Sequence, residues 1–84
     1  VRTLLIDASE FAPQLHLRFR LPMHPGLAER LRGEATTAAC VHATVFGRLD
    51  VLPLGYGGLP RDAEGAEAFR ATLEASRTEY DLTL

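Results

Sequence analysis

An eight-residue alternation of apolar and polar side chains places the strongest constraint on how this chain can fold. From residue 14 to residue 21, every second position is apolar: Leu15, Leu17, Phe19 and Leu21. The positions between them are polar or charged, and a proline lies on each side of the run. A period of two is typical of a strand that buries one face. We therefore predict a half-buried strand at residues 14–21.

The rest of the chain predicts four further strands and two helices. Runs rich in apolar or β-branched residues predict strands at residues 2–6, 36–46, 49–54 and 80–84. A short helix is predicted at residues 25–32, and it must pack on a sheet because it is too short to be stable alone. Helical spacing returns at residues 62–77, where acidic residues near the start and an arginine at the end suit the helix dipole.

This order of elements predicts one α+β domain over residues 1–84. We expect a single antiparallel sheet of about five strands with two helices on one face, in the order β-β-α-β-β-α-β. Gly47 and Arg48 are typical of a two-residue hairpin, so the strands on either side of them are expected to pair directly. Without the first strand, the order is the split βαβ arrangement of ferredoxin-like sandwiches. Because the first helix is short for a crossover, another arrangement of one sheet with helices on one face stays open.

Net charge, hydropathy and cysteine content exclude several classes of protein. The formal net charge of -2 removes the long-range attraction that nucleic acids and anionic membranes exert on basic proteins, so we expect neither as a partner. Cys40 is the single cysteine and lies in an apolar run, which predicts a reduced thiol in the core. No run approaches the ~18 apolar residues of a membrane span, and the early acidic residues do not suit a signal peptide. We therefore expect a cytoplasmic protein, while trimming of either terminus from a longer chain stays open.

Three glycines cluster between the fourth predicted strand and the second predicted helix. Gly55, Tyr56, Gly57 and Gly58 stand where glycines let backbone amides approach a phosphate, with Tyr56 as a lid over a bound small molecule. The spacing matches neither the dinucleotide fingerprint nor the P-loop, and the chain has no lysine to reach a phosphate. The alternative is a connection whose glycines permit positive φ angles. Both interpretations stay open.

A basic face is predicted on the strand at residues 14–21. His16, Arg18 and Arg20 point outward there, and His42 on a neighbouring strand faces the same way in one arrangement of the sheet. RNA-binding sheets stack bases on aromatic rings, and only Phe46 is in phase to supply one. The alternative is a face covered by solvent or by another subunit.

The sequence carries no recognisable catalytic or metal-binding pattern. His16, His24 and His42 lack the spacing that places two ligands on one helical face. Ser9 and Ser76 do not stand in the glycine-flanked turn of a nucleophilic serine. We therefore predict no catalytic residue, no metal and no cofactor, and we favour a protein that is not an enzyme.

The small size of the chain shapes the functional expectation. In a domain of 84 residues, hydrophobic burial and conformational entropy nearly cancel, so association between subunits is a common source of added stability. We expect a non-enzymatic module that forms a homo-oligomer through residues 14–21 and 80–84. A small-molecule or nucleotide sensor that uses residues 55–60 is the first alternative, and RNA binding by the sheet face is the second.

Overall fold

The chain combines helices with one small sheet in the computed structural model, which describes residues 2–83. In chain order the elements are β1 (Thr3–Ile6), α1 (Leu15–Arg18), α2 (Leu27–Leu31), α3 (Thr37–Cys40), β2 (His42–Ala43), β3 (Leu49–Leu52), α4 (Ala63–Ser76) and β4 (Asp81–Thr83). The expected mixture of helices and strands is therefore present, and Leu84 of the last predicted strand lies outside the described residues. None of the helices in residues 2–83 is both long enough and apolar enough to cross a membrane.

The sheet is mixed, so the predicted antiparallel sheet of five strands with two helices is wrong. Its four described strands lie in the order β2-β3-β1-β4. β1 runs parallel to both β3 and β4, whereas β2 pairs antiparallel with β3, as expected of the predicted hairpin. Parallel neighbours need long crossover connections, and the helices α2, α3 and α4 lie in those connections. The ferredoxin-like arrangement is therefore replaced by two strand–helix–strand crossovers.

The core lies between one face of the sheet and the helices of the crossovers. Leu4 and Ile6 of β1 and Leu52 of β3 are almost completely buried on this face. Leu27 and Leu31 of α2 pack against them, which confirms the predicted contact between this helix and the sheet. Full burial of a side chain of this size contributes roughly 1.5–3 kcal/mol. Tertiary contact therefore holds a helix that would be unstable alone.

Residues 14–21 form α1 and a turn instead of the predicted strand. Arg20 follows α1 in a left-handed conformation, with a φ of 55°. The cause lies at the other end of the helix, where Asp7 Oδ2 accepts hydrogen bonds from the amides of Gln14 (3.1 Å) and Leu15 (3.2 Å). Amides in the first turn of a helix have no partner within the helix, so this carboxylate stabilises the helical start. A side chain outside the run thus overrides its period-two pattern.

Residues 36–46 are divided between a helix and a strand instead of forming the single predicted strand. The hydroxyl of Thr36 accepts a hydrogen bond from the amide of Ala39 at 3.2 Å and caps α3. The chain is extended only in β2, after which the hydroxyl of Thr44 donates to the carbonyl oxygen of Leu49 at 2.8 Å. Threonine favours strands by its branching and helix starts by its hydroxyl. Here the capping role prevails because an amide lies within reach.

The second predicted helix is confirmed as α4. Asp62 caps its first turn by accepting a hydrogen bond from the amide of Gly65 at 2.8 Å. Phe69 and Leu73 are half-buried and pack against the core cluster. Cap and apolar spacing agree in this segment, so the local sequence is enough to predict the helix.

Gly26 lies where α2 begins, against the chain that leaves β3. The amide of Leu27 donates to the carbonyl oxygen of Pro53 at 2.7 Å. A Cβ atom at Gly26 would overlap that same oxygen and would lie 2.6 Å from the amide nitrogen of Gly55. Both neighbours are backbone atoms in a close-packed region, so they cannot move aside at low cost.

We predict that Gly26→Ala lowers the free energy of unfolding by roughly 1–3 kcal/mol, the usual cost of overpacking. The matched control is Gly47→Ala, because a Cβ at Gly47 has no atom within 4 Å and should change stability little. Urea denaturation of both variants checks the prediction. Equal stability of the two variants would contradict the close approach at Gly26.

Candidate functional site

The carboxyl ends of β1 and β3 lie at the same edge of the sheet because the two strands are parallel. In open sheets with parallel strands, ligands bind beyond the carboxyl ends of those strands. The segments that follow the two strands meet at Glu10, which accepts a hydrogen bond from the amide of Leu59 at 3.1 Å and pairs with Arg61 at 2.5 Å. This carboxyl edge is therefore the first candidate site.

Glu29 is a buried charge beneath the carboxyl edge, with only 2 % of the residue exposed. Its Oε2 accepts a hydrogen bond from the amide of Tyr56 at 2.9 Å, and its Oε1 accepts one from the amide of Gly26 at 2.8 Å. Nδ1 of His24 lies 2.9 Å from Oε2. Burial alone would raise the pKa of this carboxyl group, but the amides and the imidazole outweigh it and lower the pKa from 4.5 to about 2. Glu29 is therefore a carboxylate over the whole physiological range.

The glycine loop, residues 55–58, is fastened to α2 and to the segment before it. Arg32 donates from Nη1 to the carbonyl oxygen of Gly58 at 2.9 Å. The ring of Tyr56 stacks on His24, with centroids 5.1 Å apart and an interplanar angle of 9°. The three glycines of the loop have φ angles between 79° and 88°, a region that residues with side chains rarely adopt. The loop conformation therefore depends on glycine.

The structure brings Gly55, Tyr56, Gly57 and Gly58 together at the carboxyl edge, but it commits part of their hydrogen-bonding capacity. The amide of Tyr56 donates to Glu29 and is not free for a phosphate. Four cavities within residues 2–83 are lined by other residues. A ligand here would bind on the outer surface of the loop, and the ligand-binding role of these residues stays a prediction.

The four residues of the predicted basic face do not share a sheet face. His16 and Arg18 lie in α1, Arg20 lies in the turn that follows, and His42 lies in β2. Nε2 of His42 is 3.0 Å from the carbonyl oxygen of Pro25, which directs the ring toward the start of α2. The strand that was to carry this face is a helix, so the premise of an RNA-binding sheet face is wrong.

Sequence reasoning missed an exposed apolar surface beside β2. The phenylalanine surface, as we name it, consists of Phe19, Leu21, Val45 and Phe46 and encloses a groove of about 460 Å³. The two rings meet edge to face with centroids 6.1 Å apart. Val45 is 94 % exposed and Phe46 is 60 % exposed. A signal was present in the sequence, because two large apolar residues directly precede the turn glycine Gly47.

Two acidic residues that organise the carboxyl edge were also missed. Asp7 directly follows strand β1. Glu29 stands three residues after Gly26, the N-cap residue of α2. An acidic residue three positions after the N-cap is typical of a capping box, in which its carboxylate accepts a hydrogen bond from the backbone amide of the N-cap residue. The sequence signals are therefore an acidic residue directly after a strand and an acidic residue three positions after a helix start, and the distribution of charge alone does not show either.

Cys40 and possible metal ligands are the remaining chemically reactive groups of the described chain. Cys40 is completely buried, and burial raises the pKa of its thiol, as expected of a core cysteine. Within residues 2–83, no three side chains of the histidine, cysteine, aspartate or glutamate type converge to hold a metal ion.

Comparison with known proteins supports the fold and leaves the activity open. No protein-family model matches the chain, and no curated protein matches it. The chain is similar to the crystal structure of the chimerical protein CapA2B2, with 29 % sequence identity and a TM-score of 0.65. The similarity covers 90 % of this chain and 33 % of that chain, so this chain spans about one third of its length. The shared region therefore includes most of the arrangement described above.

We predict that Glu29→Gln removes an acid-dependent part of the stability. Because the pKa of Glu29 is lowered from 4.5 to about 2, the carboxylate stabilises the fold above pH 4.5 and loses this effect as the pH falls toward 2. The shift corresponds to about 3 kcal/mol of pH-dependent stability, which is the part that the variant should lose near neutral pH. Urea denaturation across this pH range should show a flatter profile for the variant.

The matched control for this prediction is Glu34→Gln. Glu34 is exposed and pairs at 2.8 Å with Arg32, whose Nη2 also lies 3.5 Å from Oε2 of Glu29. Its removal should leave the acid-dependent loss of stability nearly unchanged. If both variants flatten the pH profile equally, the buried carboxylate is not its cause.

Proposed function

We propose that this chain is a non-enzymatic binding module that self-associates through the phenylalanine surface. The exposure of Val45 and Phe46 beside the ring of Phe19 carries the proposal. Small soluble domains rarely expose several large apolar side chains together unless the surface meets a partner. Aromatic residues are also enriched at the centres of protein interfaces, where they bury much area at low entropic cost.

The position of the phenylalanine surface favours a second copy of the chain as its partner. β2 is the outer strand at one end of the sheet order, and Val45 and Phe46 follow it after Thr44. An edge strand offers unpaired backbone groups, and a two-fold axis beside it would bring the same apolar surface from both copies together. The overall charge of -2 is too small to oppose such pairing.

Two arginines make the proposed pairing sensitive to salt. Arg18 and Arg20 line the same groove as the apolar side chains. In a symmetric pair each copy brings both guanidinium groups to one interface, where like charges repel. Salt screens this repulsion, so self-association should strengthen as sodium chloride rises from about 0.05 M to about 0.5 M. Binding to an acidic partner protein would weaken over the same range.

We predict that Phe46→Asp weakens self-association by at least about tenfold, because truncating or charging an interface anchor commonly costs more than 1 kcal/mol. Sedimentation equilibrium at low and high salt provides the measurement. Phe11→Asp is the matched control, because Phe11 is 97 % exposed and does not line the groove. A wild-type protein that stays monomeric at all salt concentrations, or equal weakening by both variants, would remove the proposal.

A second candidate function is the binding of a small molecule or nucleotide at the carboxyl edge. Its support is the convergence of the segments after β1 and β3 at Glu10, together with an exposed Tyr56 ring on the glycine loop. This arrangement matches the general position of ligands in sheets with parallel strands. Glu10 and Glu29 at this edge disfavour a bare anion, so a bound phosphate group would need an accompanying cation or a neutral moiety that reaches Tyr56.

We predict for this second function that at least one member of a nucleotide and amino-acid panel raises the melting temperature of the wild-type protein. Tyr56→Ala should abolish that rise, because it removes the ring without removing the amide that donates to Glu29. The control is Phe11→Asp, which lies outside the glycine loop and should retain the rise. A panel without any stabilising member would leave the carboxyl edge as a structural feature alone.

We also infer a cytoplasmic location for the module. The complete burial of Cys40 and the raised pKa of its thiol suit a cysteine that stays reduced. Protein recovered from a periplasmic or secreted fraction of the native cell would contradict this inference.

A further inference from the structure

A cavity lies near the amino ends of the parallel strands, at the opposite end of the sheet from the glycine loop. Its volume is about 470 Å³, within the range of small-molecule sites. Its walls come from α3, β2, the start of β3 and the end of α4. Alanine and valine side chains share the lining with three charged groups, which are Arg2, Asp50 and Glu79. A ligand that fits must therefore suit both an apolar and a charged wall.

Arg2 and Asp50 form an ion pair in the wall of the cavity, and Tyr80 holds it in place. Oδ2 of Asp50 lies 2.6 Å from Nη2 of Arg2 and accepts a hydrogen bond from the hydroxyl of Tyr80 at 2.7 Å. The guanidinium group also lies over the ring of Tyr80, with Cζ 4.9 Å from the centroid. These contacts keep two opposite charges side by side.

Each member of the ion pair keeps hydrogen-bonding capacity for a ligand. The hydrogen bonds between Asp50 and the described residues fall on Oδ2, and those of Arg2 come from Nη2. Oδ1 of Asp50 is therefore an acceptor, and Nη1 of Arg2 a donor, that the described chain does not use. Asp50 is only 7 % exposed, so a donor from a ligand would satisfy an oxygen that has little access to water.

Glu79 places a second carboxylate beside the ion pair. Burial, the hydrogen bond to Asp50 and the charge of Glu79 all raise the pKa of Tyr80, so Glu79 lies near the phenol and the phenol stays protonated. Thr37 also lines the cavity, but its hydroxyl already accepts a hydrogen bond from Nε of Arg30 at 2.8 Å. The charged groups therefore dominate recognition at this site.

The charges of the lining select the chemical class of ligand. A lone anion would meet Arg2 but also the two carboxylates, and a lone cation would leave the guanidinium group without a ligand partner. A zwitterion carries both signs. In an α-amino acid the ammonium and carboxylate groups are attached to one carbon atom, and the ion pair of Arg2 and Asp50 holds the complementary charges equally close together. The alanine and valine side chains suit an aliphatic group on the same molecule.

We propose that this cavity binds a free α-amino acid with an aliphatic side chain. The carboxylate of the ligand accepts a hydrogen bond from Nη1 of Arg2, and its ammonium group donates to Oδ1 of Asp50 and pairs with Glu79. The aliphatic side chain contacts the apolar wall. This site is separate from the phenylalanine surface and from the carboxyl edge, so it does not depend on either role proposed for them.

The test titrates ¹⁵N-labelled protein with L-leucine, and separately with 3-methylbutylamine and 4-methylpentanoate. These two compounds keep the aliphatic part of leucine and lack its carboxylate and its ammonium group, respectively. We expect leucine to shift the amide signals of Ala38, Ala75 and Tyr80 in a saturable manner. Each of the other compounds should bind at least about tenfold more weakly, the usual effect of one lost hydrogen bond between charged groups.

Glu79→Gln should weaken leucine binding about two- to fivefold, because it removes an exposed charge that faces the ammonium group. The matched control is Glu74→Gln, which removes the same charge from an exposed position of α4 that does not line the cavity. Tyr56→Ala, at the carboxyl edge, should also leave leucine binding at this site unchanged.

Three results would overturn the proposal. The first is that leucine does not saturate the signals, and the second is that 3-methylbutylamine or 4-methylpentanoate binds as tightly as leucine. The third is that Glu79→Gln weakens binding no more than Glu74→Gln does. Loss of the signal shifts in Tyr56→Ala would likewise contradict this site, because it would assign leucine binding to the carboxyl edge.

Discussion

The carboxylate of Glu29 joins the start of α2, the glycine loop and His24 at one buried point. It accepts hydrogen bonds from the amide of Gly26 at the start of α2 and from the amide of Tyr56 in the glycine loop, and it lies against the ring of His24. An isolated buried charge is very costly, so its removal from water is tolerated only because these donors surround it. The low pKa of Glu29 reports the same balance, since the donors prevail over burial. One side chain thus fixes the position of the glycine loop relative to the start of α2, which packs on the sheet.

Polar side chains at the ends of segments also explain where sequence patterns succeed and fail. The apolar spacing of α4 is accompanied by its own cap, Asp62, so pattern and cap predict the same helix. The alternation at residues 14–21 is as regular, but the residue that decides its conformation, Asp7, stands seven residues before Gln14. A periodicity describes which side chains can share a face, and it carries no record of a donor or acceptor elsewhere. Threonine at position 36 adds a second case, in which a strand-forming residue acts as a helix cap.

The sequence does not predict the direction of strand pairing, for a different reason. β1 and β3 were both predicted as strands, and the structure has both, but the sequence contains no local signal that they run parallel. Parallel pairing follows from the crossover that separates the strands, and of the helices in it the sequence predicts only α2, whereas α1 and α3 became visible in the structure. The same applies to the candidate surfaces. Phe19 and Phe46 are far apart in the chain and meet only because α1 lies beside the end of β2.

The two ends of the sheet differ in how fully their polar groups are satisfied, and this difference bears on function. At the carboxyl edge, Glu29 accepts from the amide of Tyr56 in the glycine loop and Glu10 accepts from the amide of Leu59 directly after it, so the fold itself uses part of the available hydrogen bonding. At the amino end, the buried hydroxyl of Ser76 has no partner among the described residues. This oxygen is also inaccessible to solvent, so it is a cost to stability and not a recognition group. Ligand recognition at the carboxyl edge would depend on groups that the fold leaves free there, such as the exposed ring of Tyr56.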